Sequence, residues 1–157
     1  MTKKVLALDV EGTLISNAVS QFPRPGLFEF LEECRKLFER VCVFTTVPED
    51  KFRRVAEQLV NDGAAPSWFE NVEYVQWRGK TKDLSFVENC TADEIILVDD
   101  VESYVHPRQE KSWVKIDEFV PPFEKDDGEL ERVLDELRKR KACPGPAAET
   151  AGNQIRT

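Results

Sequence analysis

Residues 5–14 read Val5-Leu6-Ala7-Leu8-Asp9-Val10-Glu11-Gly12-Thr13-Leu14. A short, unbroken apolar run stops at a carboxylate, and a second acid follows two residues later, just before Gly12 and Thr13. A run of this kind suits a strand covered on both faces, because alternation is lost when neither side meets water. Taken alone, an acid and a glycine after a strand signify no more than a turn. Their meaning depends on whether other strands end in the same way.

They do. Residues 4–8, 41–44 (VCVF), 95–98 (IILV) and 113–116 (WVKI) read as buried strands, with a short one at 73–77 (EYVQW). Helical periods lie between them. Leu27, Phe30, Leu31, Cys34, Leu37 and Phe38 recur at three- and four-residue steps, as do Phe52, Val55, Ala56, Leu59 and Val60. Pro48, Glu49 and Asp50 suit the first turn of that second helix. A third period is Leu130, Val133, Leu134 and Leu137, after Asp126 and Asp127. Strands alternating with amphipathic helices predict an α/β fold with a central parallel sheet flanked by helices. Ligands of such sheets bind beyond the carboxyl ends of the strands.

Thr45 and Thr46 follow VCVF, and Asp99 and Asp100 close IILV. Lys80 and Lys82 sit in RGKTKDLSFV, before a predicted helix. Asp9, Glu11, Thr45, Lys82, Asp99 and Asp100 are thus expected at one sheet edge. Clustered carboxylates repel one another and call for a cation. Asp9, Asp100 and Asp99 are the expected hard oxygen ligands, with Glu11 beside them; too few for a cage, they suit Mg²⁺, which keeps waters and takes a phosphate oxygen. The expected chemistry is phosphoryl transfer. Asp9 is the nucleophile, Glu11 the acid and base, and Lys82 and the Thr45 hydroxyl balance charge on the phosphoryl oxygens. Backbone N–H groups near Gly12 are expected to help. Lys80 is the rival of Lys82. Thr46 is the better candidate to cap the helix after Pro48, which leaves the phosphate to Thr45. His106, in a loop before Pro107, reads as solvated. Trp77 reads as closing the sheet edge, with a substrate groove as its alternative role.

The ordered set DVEGT, VFTT, KDL and LVDD resembles the haloacid dehalogenase superfamily of aspartate-nucleophile phosphatases. VCVFTT with RRVAEQL, RGKTKDLSFV and IILVDDVESYVHP resemble its small C-terminal-domain phosphatase branch, the NLI-interacting-factor-like family, over roughly residues 3–140. The resemblance implies a Rossmann-like core, capless or with only a small β insertion at 62–78. It implies Mg²⁺ dependence and an aspartyl-phosphate on Asp9. The metal ligands it implies are Asp9, Asp100 and the Glu11 carbonyl, with Asp99 as acidic companion. It also implies phosphoserine in proteins as substrate, and phosphotyrosine is carried alongside it. Glu11 stands where most of the superfamily has Asp. Enolase-phosphatase resembles this chain there, reading Asp-x-Glu-Gly-Thr.

Composition limits the alternatives. The 157 residues are 41% hydrophobic with ten Phe, enough for one cored domain, predicted over 1–141. The formal charge is −8 at pH 7, which makes nucleic acid an improbable general partner. Arg78, Lys80, Lys82 and Arg108 are the candidates for a locally basic cleft. A small phosphate ester, a nucleic-acid end and a non-catalytic interaction module are the competing readings. No apolar segment reaches membrane-span length, and the run after Lys3 and Lys4 is too short for a signal peptide. The four cysteines form no CxxC pair, and Cys34 and Cys42 read as buried thiols. A cytoplasmic location is expected, with a nuclear one open because of the basic run 138–141. Residues 142–157, rich in Ala, Gly and Pro, are expected to form a flexible tail.

Overall fold

The computed structural model describes residues 2–142. The strands are β1 (Val5–Leu8), β2 (Arg40–Val43), β3 (Glu73–Tyr74), β4 (Ile95–Asp99) and β5 (Trp113–Lys115). The α-helices among the described residues are α1 (Leu27–Leu37), α2 (Glu49–Asn61) and α3 (Glu129–Ala142). The strands pair in the order β3-β2-β1-β4-β5, and every pair is parallel. The α/β class, the parallel sheet and the flanking helices are as the sequence predicts. The expected tail lies outside the described residues except for Ala142, which ends α3.

Alternate residues of β1 serve two different cores. Leu6 and Leu8, with Val43, Ile96 and Val98, pack against the buried stripes of all three helices. Val5 and Ala7, with Cys42, Phe44, Ile95 and Leu97, face the opposite way and meet Val75, Leu84 and Val87. The second face is therefore covered by the connection from β3 to β4. The helix expected after Lys82 is absent. Leu84–Phe86 form one 3₁₀ turn, which Asp83 opens by accepting the Ser85 N–H at 2.9 Å. Asp83 and Ser85 bond locally instead of continuing a helix, which their side chains favour at turns. Leu84 and Val87 still supply the apolar cover that a helix would have given.

This routing places the functional edge. From β1 the chain winds one way through α1, β2, α2 and β3. It then crosses the other face to enter β4 on the far side of β1. The strand order thus reverses between β1 and β4, and a crevice opens there beyond the strands' carboxyl ends. Asp9 follows β1 directly, and Asp99 and Asp100 lie at the end of β4. Residues 62–78 build no cap. They supply a 3₁₀ turn, Ser67–Asn71, and the edge strand β3, which joins the main sheet instead of forming a separate β insertion. Strand β3 is two residues long, not the five expected. After it, the Trp77 indole donates to the Thr45 carbonyl at 2.8 Å and packs edge-on against Phe44.

No helix among the described residues is long and apolar enough to cross a membrane. Cys34, Cys42 and Cys90 are free thiols, with Cys34 and Cys42 buried as expected.

Candidate active site

The decisive group is buried. Lys82 is wholly excluded from solvent, yet its ammonium donates to Asp9 Oδ1 at 2.9 Å and to Asp99 Oδ2. Its Nζ also sits 5.0 Å from the centre of the Tyr104 ring. The Lys82 N–H donates to the Tyr104 carbonyl at 2.7 Å, which fixes where the side chain enters. Burial disfavours the ammonium, but the Asp9 and Asp99 carboxylates outweigh it and raise the Lys82 pKa. Lys80, its rival, is exposed.

Oxygen atoms of Asp9, Asp99 and Asp100 lie within 4.8 Å of one another. Their oxygens are not equally available. Asp99 spends one on Lys82 and the other on the Val101 N–H at 2.9 Å. Asp9 Oδ2 and Asp100 Oδ1 instead share one donor, the Thr13 hydroxyl, at 2.9 and 3.1 Å. One hydroxyl hydrogen cannot satisfy both, so an acceptor is left short beside a like charge. A proton, a cation or solvent in the cavity must serve the other. Burial, partly offset by Lys82, pushes the Asp9 pKa up to about 7, and burial pushes Asp99 up to about 6. Hard carboxylate oxygens with an unmet acceptor are what a small divalent cation fits.

Asp9 and Asp100, with Asp99 buried beneath them, floor a cavity of about 340 Å³ walled by Glu11, Gly12, Thr46, Tyr104, Glu118 and Phe119. Glu11 reaches into the wall, and its Oε2 accepts the Ala18 N–H at 2.7 Å. Gly12 has φ +76°, and a Cβ there would lie 2.5 Å from Asp100 Oδ2. The Gly12 N–H is bonded to the Ile15 carbonyl at 2.8 Å, so this amide faces its own turn. Gly12→Ala is expected to cost about 1–3 kcal/mol, because the left-handed backbone and the displaced Asp100 add up. Thermal melting of the two proteins would check it.

Thr45 is buried, and its hydroxyl accepts the Val47 N–H at 3.1 Å. Thr46, not Thr45, lines the cavity over Asp9. Both border a neighbouring hollow with Trp77 and Arg78. Thr46 does not cap α2, whose N-cap is Pro48 with no side-chain hydrogen bond. The cation candidates do not gather into a basic cleft. Arg78, Lys80 and Arg108 are exposed and lie outside the cavity wall, and Lys82 is spent on the acids beneath it. His106 is half-buried rather than solvated. Its Nδ1 lies 2.6 Å from the Thr81 hydroxyl, and its Nε2 is 3.4 Å from Asp83. It braces the segment that carries Lys82.

With this geometry, the sequence pattern of the NLI interacting factor-like phosphatases matches residues 4–144. The chain belongs to that family. It is a haloacid dehalogenase-superfamily fold, as the motifs foretold, and the family's chemistry is that of HAD-type phosphatases acting on phosphorylated substrates. No curated protein is similar enough to match it.

Two residues of this phosphatase site have roles that no local sequence signal gives away. Arg24 is 2% exposed. Its guanidinium pairs with Asp127 through two bonds of 3.0 and 3.1 Å and donates to the Gly12 and Thr13 carbonyls at 3.2 and 3.3 Å. It rivets the turn after Asp9 to the segment before α3. The second is Thr13. It stands inside the DVEGT motif, but its bridging role follows only from the approach of Asp100.

Proposed function

We propose that this phosphatase is Mg²⁺-dependent and hydrolyses phosphomonoesters through an aspartyl-phosphate on Asp9, with a phosphorylated protein segment as its substrate. The observation that carries the reading is the convergence of Asp9, Asp99, Asp100 and Lys82 beneath one cavity at the strand-order reversal. Asp9 and Asp100, with the Glu11 carbonyl, would hold the cation. When bound it supplies Lewis-acid charge neutralisation for the phosphoryl group. We assign Asp99 to positioning, since both its oxygens are already taken by Lys82 and Val101.

An Asp9 carboxylate oxygen forms a bond to phosphorus while the ester oxygen departs with its electron pair. Glu11 gives that oxygen a proton. It then takes one from the water that attacks phosphorus, which frees inorganic phosphate and restores Asp9. Lys82 holds Asp9 in position and partly compensates its charge. The assigned role of Thr45, from the neighbouring hollow that it borders with Thr46, is to donate its hydroxyl hydrogen to the phosphoryl group, since its lone pair already serves Val47. The lack of a cap over the cavity, among the described residues, suits a chain-like substrate. The acids that line it disfavour a nucleic-acid end.

The test is hydrolysis of phosphopeptides, phosphosugars and 3′-phosphorylated oligonucleotides with and without Mg²⁺. Turnover of phosphopeptides only with Mg²⁺ is the expected result. Turnover of phosphosugars alone would support a small-ester enzyme, and no turnover of any substrate would support an interaction module.

The cation has a pH signature. Asp9 and Asp99 titrate near 7 and 6 in the metal-free fold against an ordinary 3.8. Their raised values favour the protonated acids in the folded state. That contribution to stability is full below about pH 4 and is lost as pH rises through 6 to 7. Cation binding needs the Asp9 proton gone, so its stabilising effect grows over the same range. The Mg²⁺-induced rise in Tm is expected to be small near about pH 5 and several degrees by about pH 8. A rise of equal size at both would contradict the assignment.

A further inference from the structure

One wall of the cavity is apolar. Phe119, Val120, Pro121 and Phe123 line it. Phe123 packs on Phe119 at 5.0 Å between ring centres and on Phe22 at 5.2 Å. Phe22 and Val120 are 51% and 47% exposed, two of the four large exposed apolar side chains among the described residues. The wall is anchored to the reaction centre, because the Phe119 N–H donates to the Gly12 carbonyl at 2.9 Å. Phe123 holds φ +53°, a conformation that costs a bulky residue energy, so its ring is kept in this wall against local preference. The charged side chains that line the cavity, Asp9, Glu11, Asp100 and Glu118, are all carboxylates.

We propose that this aromatic wall is the leaving-group subsite, and that it selects the ring of a phosphotyrosine in a protein segment over an aliphatic phosphoester. The inference rests on the phosphatase reading above and narrows its substrate. An aryl ester places a ring directly beyond the scissile oxygen, inside the cavity that the acids share with the wall. The ring is recognised by apolar burial and edge-to-face packing. The carboxylates turn away a leaving group that carries further negative charge.

Binding of non-hydrolysable phosphonates separates this recognition from leaving-group reactivity. Calorimetry on the full chain with Mg²⁺ would compare phenylphosphonate, methylphosphonate and 4-carboxyphenylphosphonate. Phenylphosphonate is expected to bind about tenfold more tightly than either of the others. Val120→Ser and Phe123→Gly should each shrink that ratio to about threefold or less, and the glycine also relieves the backbone at position 123. Peptides of one sequence bearing phosphotyrosine or phosphoserine should show the lower KM for phosphotyrosine, and phenyl phosphate alone would show whether the peptide adds affinity. A ratio near one in the native chain, or one that neither variant changes, overturns the subsite. A chain that prefers phenylphosphonate yet hydrolyses no aryl phosphate supports the subsite and overturns the reaction. Hydrolysis without any phenyl preference does the reverse.

Discussion

Asp9→Asn is expected to reduce phosphomonoester turnover at least about 10³-fold while leaving the fold intact. The amide keeps the shape of the side chain but cannot form the phosphoryl bond. Its oxygen can still accept from Lys82, which donates to Oδ1 at 2.9 Å, and its NH₂ can turn toward Thr13 and Asp100. That arrangement removes one of two like charges competing for a single hydroxyl. The metal-free variant should therefore melt at the native temperature or slightly above it. Its Mg²⁺-induced gain should largely vanish, and with it the pH dependence of that gain. Activity at the native level would show that another group attacks phosphorus. Lost activity with a collapsed Tm would show that position 9 is structural.

Lys82→Met is expected to be the more damaging change to the fold. The native ammonium is fully buried between Asp9 and Asp99, and Asp99 is fully buried too. Methionine fills much of the space but leaves two close carboxylates without a cation. Removing one member of a buried ionic network costs about 3–5 kcal/mol, because the remaining charge is stranded. Denaturant unfolding should register that loss near neutral pH and a smaller one below about pH 5, where the acids can take protons. Adding Asp99→Leu should restore part of the stability by removing the stranded charge. It should restore no turnover, since Asp9 would still lack its partner. Full stability in the single variant would mean that Lys82 contributes nothing to the buried network.

Much of the site was legible along the chain. The strands at 4–8, 41–44 and 95–98 are marked by unbroken apolar runs, and each ends in a polar residue because the site lies beyond the strands' carboxyl ends. The helical stripes were legible for a similar reason, since a 3.6-residue period records which side of a helix is buried. Asp9, Asp99 and Asp100 could be singled out because a charge beside an apolar run needs a reason, and Lys82 was preferred to Lys80 because the KDL stretch resembles the family's motif. The segment after Lys82 misled, since Leu84, Phe86 and Val87 carry the apolar content of a helix but Asp83 and Ser85 bond locally. The expected basic cleft failed because charge counted along a chain says nothing about where side chains emerge.

What the residues foretell from their neighbours alone is the α/β class, the strand ends and the kinds of group that meet there. Their division of labour depends on contacts across the fold. Lys82 reaches Asp9 across 73 positions, and Thr13 reaches Asp100 across 87. Which oxygens Asp99 spends, how Arg24 clamps the Gly12 turn, and how Phe119 and Phe123 come to wall the cavity all follow from that long-range packing. A short stretch of chain encodes its own backbone preference and its apolar rhythm. It cannot encode the partner that folding brings to it, because that partner's approach is set by the reversal of strand order between β1 and β4.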